Sequence, residues 1–199
     1  LISVPAILIA ITIHEFSHGF AAHRLGDPTP RRQGRLTLNP LAHLDPLGTL
    51  MLLVAHFGWA KPVQVNPFYF KGDRQRGMLI VALAGPLSNL VVALLGAILY
   101  NLFGKTSYYL GLSLNYLVVI NVYLAVFNLI PVPPLDGSKI LSGLLPRRYH
   151  EYIYQLEAYG PFILMLLIIT RATRIILGPL AGAIINLIFN ISRVITGIL

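Results

Sequence analysis

The chain has 199 residues, 56% of them hydrophobic and 11% charged, with a mean hydropathy of +0.73; a soluble globular domain is about a quarter charged, so this is an integral membrane protein. Cysteine is absent, which excludes a disulfide framework and a thiolate zinc site and leaves His, Asp and Glu to hold any metal. The net charge of +8 resides on basic residues between apolar runs, with no interleaved aromatic patch, so the bilayer and not a nucleic acid is the expected partner.

The first apolar run, about Ile2 to Leu25, is long enough to cross a bilayer core. Pro5 is tolerable in a first turn, and Gly26-Asp27-Pro28 ends the run. Its C-terminal half carries His14, Glu15 and His18. Two histidines four apart on a helix differ by about 40° around the axis, so both can face one metal ion, with Glu15 beside them. Residue 1 is Leu, and an initiator Met is expected to lie outside this numbering. A cleaved signal peptide is not expected, because the run carries the metal motif and lacks a basic start and a small-residue cleavage site.

Residues 27 to 76 form a long connection. Arg35 to Asn39 and Lys61 to Val65 alternate polar and apolar residues like strands, and Pro62 makes the second an edge. Between them, Thr49 to Gly58 is apolar but too short to span, which predicts an interfacial or re-entrant segment.

A second span is expected over about Gly77 to Phe103, interrupted by Gly85-Pro86, where exposed carbonyls let another chain come close. A third covers about Leu112 to Ile130, after which Pro131, Pro133 and Pro134 stop the helix and leave an extended piece presenting Asp136 before Gly137. Residues 139 to 157 read as interfacial, and Ala158 to Leu199 as two further apolar segments. The fold class is therefore an all-α polytopic membrane protein in a single domain. Residues 1–140 form a three-helix core, with a small β-hairpin or re-entrant segment between its first two helices. Residues 141–199 add the interfacial segment and about two transmembrane segments.

Eleven Lys and Arg residues fall in the connections after spans one and three, against three on the other side, so the positive-inside rule turns the richer side to the cytoplasm. The ends of spans one and three share that side, which puts the histidine pair and Asp136 at similar depth.

Of seven acidic residues, only Glu15 lies well inside an expected span, and Asp136 lies where one breaks. Zinc held by two His and one carboxylate keeps a fourth position for water, which is the catalytic arrangement. The metal would lower the water's pKa toward about 7, and Glu15 would take its proton. Asp136 is the favoured third ligand, with His23, His43 and Asp45 as rivals; His56 and His150 read as interfacial. Asn89 either satisfies helix contacts or donates to a developing oxyanion or a substrate backbone. Asn128 is divided between helix packing and orienting the Asp136 turn. The free edge near Val63 and Val65 could hold a substrate extended by strand addition. A metal-ion transporter or channel using the buried His and Asp is the alternative reading.

The set HExxH, GDPTP, GRLTLNPLAHLDPLGTL, WAKPVQVNP, ALAGPLSN and FNLIPVPPLDG, spread over about residues 7 to 140, resembles the site-2 protease family of intramembrane zinc metalloproteases. The resemblance implies zinc on His14, His18 and Asp136, Glu15 as base, and Asn89 and Asn128 assisting substrate or site geometry. It also implies a membrane-protein substrate cut in or near a transmembrane segment.

Overall fold

A computed structural model describes residues 2–55, 58–170 and 172–197. His56, Arg171 and the side chain of His150 lie outside the described residues.

The first apolar run folds as α1 (Val4–Arg24), with Pro5 in the first turn, where a missing N–H costs nothing. The chain leaves it through Gly26 at φ 110°, a conformation that favours glycine. A Cβ there would also lie 2.9 Å from the Tyr69 carbonyl oxygen. Two short helices, α2 (Thr29–Arg32) and α3 (Pro46–Ala55), sit in the connection that follows. The long α4 (Arg74–Phe103) is capped by Asp73, whose carboxylate accepts from the Arg76 amide at 2.8 Å. Then come α5 (Tyr108–Asn128), α6 (Asp136–Leu144), α7 (His150–Ile169) and α8 (Ala172–Thr196).

Among the described residues, four helices are long and apolar enough to cross a membrane: α1, α4, α5 and the Leu177–Thr196 part of α8. This corrects the expectation of three spans plus about two more. In α7 the apolar part is confined to Gln155–Ile169, short of the roughly 20 residues a bilayer core needs. Glu151 and Glu157 polarise its first turns.

Helix α4 is the central element, packed against α1, α5, α6 and α8. Ala93 and Ala97 of α4 pack against Val118, Val122 and Val126 of α5 and Leu177, Ala181 and Ile188 of α8. Small residues on α4 let the backbones approach, the usual basis of helix association in lipid. The Asn101 amide donates to the Ser192 hydroxyl at 2.8 Å and ties α4 to α8.

Three local expectations need correction. Helix α4 runs unbroken past Gly85-Pro86, with Pro86 inside it. Asp136 is the first residue of a helix, not part of an extended piece. The β-hairpin is absent among the described residues, where the sole bridge joins Leu44 to Ala60. Arg35–Asn39 and Lys61–Val65 do not pair because their polar groups are engaged elsewhere. The Val63 amide donates to Glu15 (2.9 Å) and the Asn66 amide to the buried Asp27 (2.7 Å). The Arg35 guanidinium donates to the carbonyls of Ala42 and Lys61. Residues 61–66 thus form neither helix nor strand, with Asn66 in the extended region, and are held by Glu15 of α1 and by Asp27 in the turn after it instead of by a partner strand.

Candidate metal centre

His14 and His18 lie on the buried face of α1, one turn apart, and meet α4 at Gly85. A Cβ at Gly85 would lie 2.5 Å from His18 Nε2 and 2.7 Å from His14 Cε1, so the two rings occupy space that only glycine leaves free. These imidazoles fill the space beside Gly85, where a break open to another chain was expected. Asp136 arrives from the start of α6, and Gly137 permits this: a Cβ there would lie 2.3 Å from the Ile130 carbonyl oxygen and 2.4 Å from that of Leu129.

The two Nε2 atoms lie 3.0 Å apart, and Asp136 Oδ2 lies 3.0 Å from that of His18 and 3.1 Å from that of His14. All three residues are buried. A tetrahedral ion with bonds of about 2.0–2.1 Å spaces its ligands by about 3.3–3.4 Å, so the triangle has the size of a metal site to within a few tenths of an ångström.

The opposite edges of the rings decide what the triangle can hold. His14 Nδ1 lies 2.7 Å from Asn89 Oδ1, and His18 Nδ1 lies 2.7 Å from the Val81 carbonyl oxygen. A carbonyl oxygen can only accept, so His18 carries its proton on Nδ1. Asn89 is oriented by its own donors, which reach the Ala10 carbonyl (3.0 Å) and Asn121 Oδ1 (2.8 Å), so its oxygen is an acceptor and His14 also donates from Nδ1. Both Nε2 atoms then present lone pairs to a carboxylate, a donor set that calls for a cation. Protons can take the same place. Burial alone would raise the Asp136 carboxyl, but hydrogen bonds from His14 and His18 and their charge outweigh it and hold it below the usual carboxylate range.

Glu15 is half-buried beside the triangle. One oxygen accepts from the Val63 amide at 2.9 Å, and the other makes no hydrogen bond among the described residues. The rival ligands lie elsewhere. His43 is fully buried and donates from Nε2 to the Thr37 carbonyl at 2.8 Å. Asp45 accepts from the Gly48 amide at the start of α3, and His23 is outside the cluster. Asn89 is fully buried with its oxygen and both donors engaged inside the protein, so it has none left for a substrate.

Asn128 donates to the Leu124 carbonyl at 3.0 Å and lines both cavities that meet at the site. The larger, about 390 Å³, is bounded by apolar residues that include Ile7, Ile11, Phe127 and Trp59. The smaller, about 240 Å³, holds the triangle and Glu15 together with Val63 and Val65. Two contributors escaped the sequence reading. Asn121 was findable as one of three amides, with Asn115 and Asn128, in an apolar span. Arg35 reads only as the start of a strand-like alternation, yet it is buried and cross-links the two limbs of the connection.

The fold and site define an integral membrane protein with a two-histidine, one-aspartate centre of metal-binding type between its helices. The chain belongs to the site-2 protease family, Peptidase family M50, whose profile matches residues 105–170. It is 39% identical over 188 residues to "Putative zinc metalloprotease YwhC" of Bacillus subtilis, covering 90% of this chain and 85% of that one. It is 34% identical over 169 residues to "Putative zinc metalloprotease Rip2" of Mycolicibacterium smegmatis, covering 83% of this chain but only 65% of that one. To "Putative zinc metalloprotease MJ0611" of Methanocaldococcus jannaschii it is 43% identical over 64 residues, 31% and 32% of the two chains. No solved structure matches significantly.

Proposed function

We propose that the protein is a zinc-dependent intramembrane endopeptidase that cuts another membrane protein in or near a transmembrane segment, from the cytoplasmic side. The observation that carries this is the convergence of two tautomer-fixed imidazoles and Asp136 next to a carboxylate with one free oxygen. The names of the relatives, each beginning "Putative zinc metalloprotease", support it.

His14, His18 and Asp136 would hold the ion, which supplies an acidified water and a Lewis acid. Glu15 is the base: its free oxygen takes the water's proton and passes it to the departing amine nitrogen. The Val63 amide fixes the other oxygen, so the base keeps its aim. Asn89, held by Asn121, keeps His14 in its ligating tautomer, and the Val81 carbonyl does the same for His18. Asn128, between the cavities, orients the peptide as it crosses the site.

A helical substrate hides its amides and has to unwind before it is cut. Residues 61–66 lie in neither helix nor strand, and the amide of Val65 and the carbonyls of Val63 and Val65 make no hydrogen bond among the described residues. They are available to an unwound strand, with its apolar side chains in the 390 Å³ cavity. The test is cleavage of a detergent-solubilised single-span substrate by the purified protein and by Glu15→Gln. Product from the wild type alone is expected; equal cleavage by both would refute the mechanism.

A further inference from the structure

A third cavity, of about 400 Å³, opens beside the site between the start of α4, α6 and α7. Met78 and Lys139 line both it and the 240 Å³ cavity, so the two adjoin. The 240 Å³ cavity shares His14, Glu15, Asn128 and Pro134 with the apolar one. The three adjoin in that order: the apolar cavity, the one with the ligand triangle, and the polar one.

The polar end is cationic. Arg74 and Lys139 line it, against a single acid, Glu157. Among the described residues neither cation makes an ion pair. The Arg74 guanidinium lies over the Phe68 ring, 4.5 Å from its centroid, which holds it at the rim without neutralising it. Lys139 is exposed and sits one turn past Asp136 on α6, on the side towards the triangle. Gln75 secures that helix by donating to the carbonyls of Ser142, Gly143 and Leu145. Arg74 is thus held by its ring contact, Lys139 stands exposed on the same cleft, and neither is ion-paired among the described residues.

We propose that this cleft is a recognition subsite for an acidic side chain in the polar stretch flanking the substrate's apolar segment, paired with Lys139 and Arg74. The inference rests on the proteolytic reading. A chain whose apolar part fills the 390 Å³ cavity and whose scissile bond lies at the triangle has its flanking residues in this cleft. Strand geometry, at about 3.3 Å per residue, sets the spacing. The subsite selects against basic flanks, which a membrane protein commonly carries on its cytoplasmic side, and so narrows the substrates to the minority with acidic ones.

The test uses the full chain in nanodiscs and single-span peptides with Asp, Gln or Lys scanned through the positions after the scissile bond. At one or two adjacent positions the wild type is expected to prefer Asp over Lys by about fivefold in kcat/KM, the size of two exposed ion pairs together. The preference should shrink as salt is raised. Lys139→Glu with Arg74→Glu should invert it, and the milder Lys139→Met with Arg74→Gln should abolish it while the Gln peptide is still cut. A preference unchanged in active variants would overturn the inference and leave the protease standing. A uniform loss that instead follows the anionic-lipid content of the disc would overturn it in favour of a lipid contact. Failure of the wild type to cut any peptide would overturn the proteolytic reading and the subsite with it.

Discussion

Replacing Gly85 by alanine separates the metal centre from the fold that carries it. The added Cβ would stand 2.5 Å from His18 Nε2, 2.6 Å from His18 Cε1 and 2.7 Å from His14 Cε1. Ordinary contact begins near 3.4 Å, so the His18 ring has to retreat by about 0.9 Å (3.4 less 2.5). It cannot do so and keep both its bond to the Val81 carbonyl and its place in a triangle with sides near 3.0 Å, since metal sites tolerate only about ±0.2 Å. Overpacking of this kind costs about 1–3 kcal/mol, and here it falls on ligand geometry, so zinc should bind about 10- to 100-fold more weakly. The helix itself gains, because alanine is favoured over glycine by about 0.8–1.0 kcal/mol in a helix interior. Gly85→Ala is therefore expected to unfold at or near the wild-type temperature but to bind zinc weakly in a competition titration, with activity lost in proportion. Wild-type zinc affinity and full activity would refute the steric account.

Glu15→Gln should lower kcat by about 10²–10⁴ while the protein still copurifies with zinc, because the base is not a ligand; emission spectroscopy and the cleavage assay read the two separately. Asn89→Leu removes the acceptor that fixes the His14 tautomer and should weaken zinc about 10- to 100-fold, measured by competition with a chelator. Arg35→Ala releases the carbonyls of Ala42 and Lys61. It is expected to cost about 2–4 kcal/mol and to make the stretch between residues 36 and 66 the first site of limited proteolysis. Asp136 has its carboxyl held below the usual range, so the carboxylate persists as pH falls from neutrality and is lost only below its depressed pKa.

What could be read from the sequence was what local chemistry determines. Ionisable residues inside apolar runs are costly unless they do something, which is why His14, Glu15 and His18 stood out; Asp136 did so by lying where a span breaks. The structure brings the two histidines and Asp136 into one triangle. Their partners across the fold were harder to see. The pairing of Asn89 with His14 spans 75 residues, and its support by Asn121 a further 32, so no spacing rule announces either. The hairpin was misjudged for a related reason: alternation in residues 61–65 suits a strand, but here α1 and the turn after it supply the hydrogen-bonding partners. Glu15 and Asp27 take the amides that a neighbouring strand would have taken. Pro86 was read as a break, yet α4 stays continuous, packed on α1, α5 and α8 around it.

The most direct test of the central claim is zinc stoichiometry measured together with cleavage on one preparation. The purified chain should carry one zinc, lose cleavage when a chelator removes it, and regain cleavage on addition of one equivalent. His14→Ala and Asp136→Ala should neither hold the ion nor recover. Cleavage that survives full removal of zinc, or full recovery by Asp136→Ala, would contradict a metal centre built from His14, His18 and Asp136.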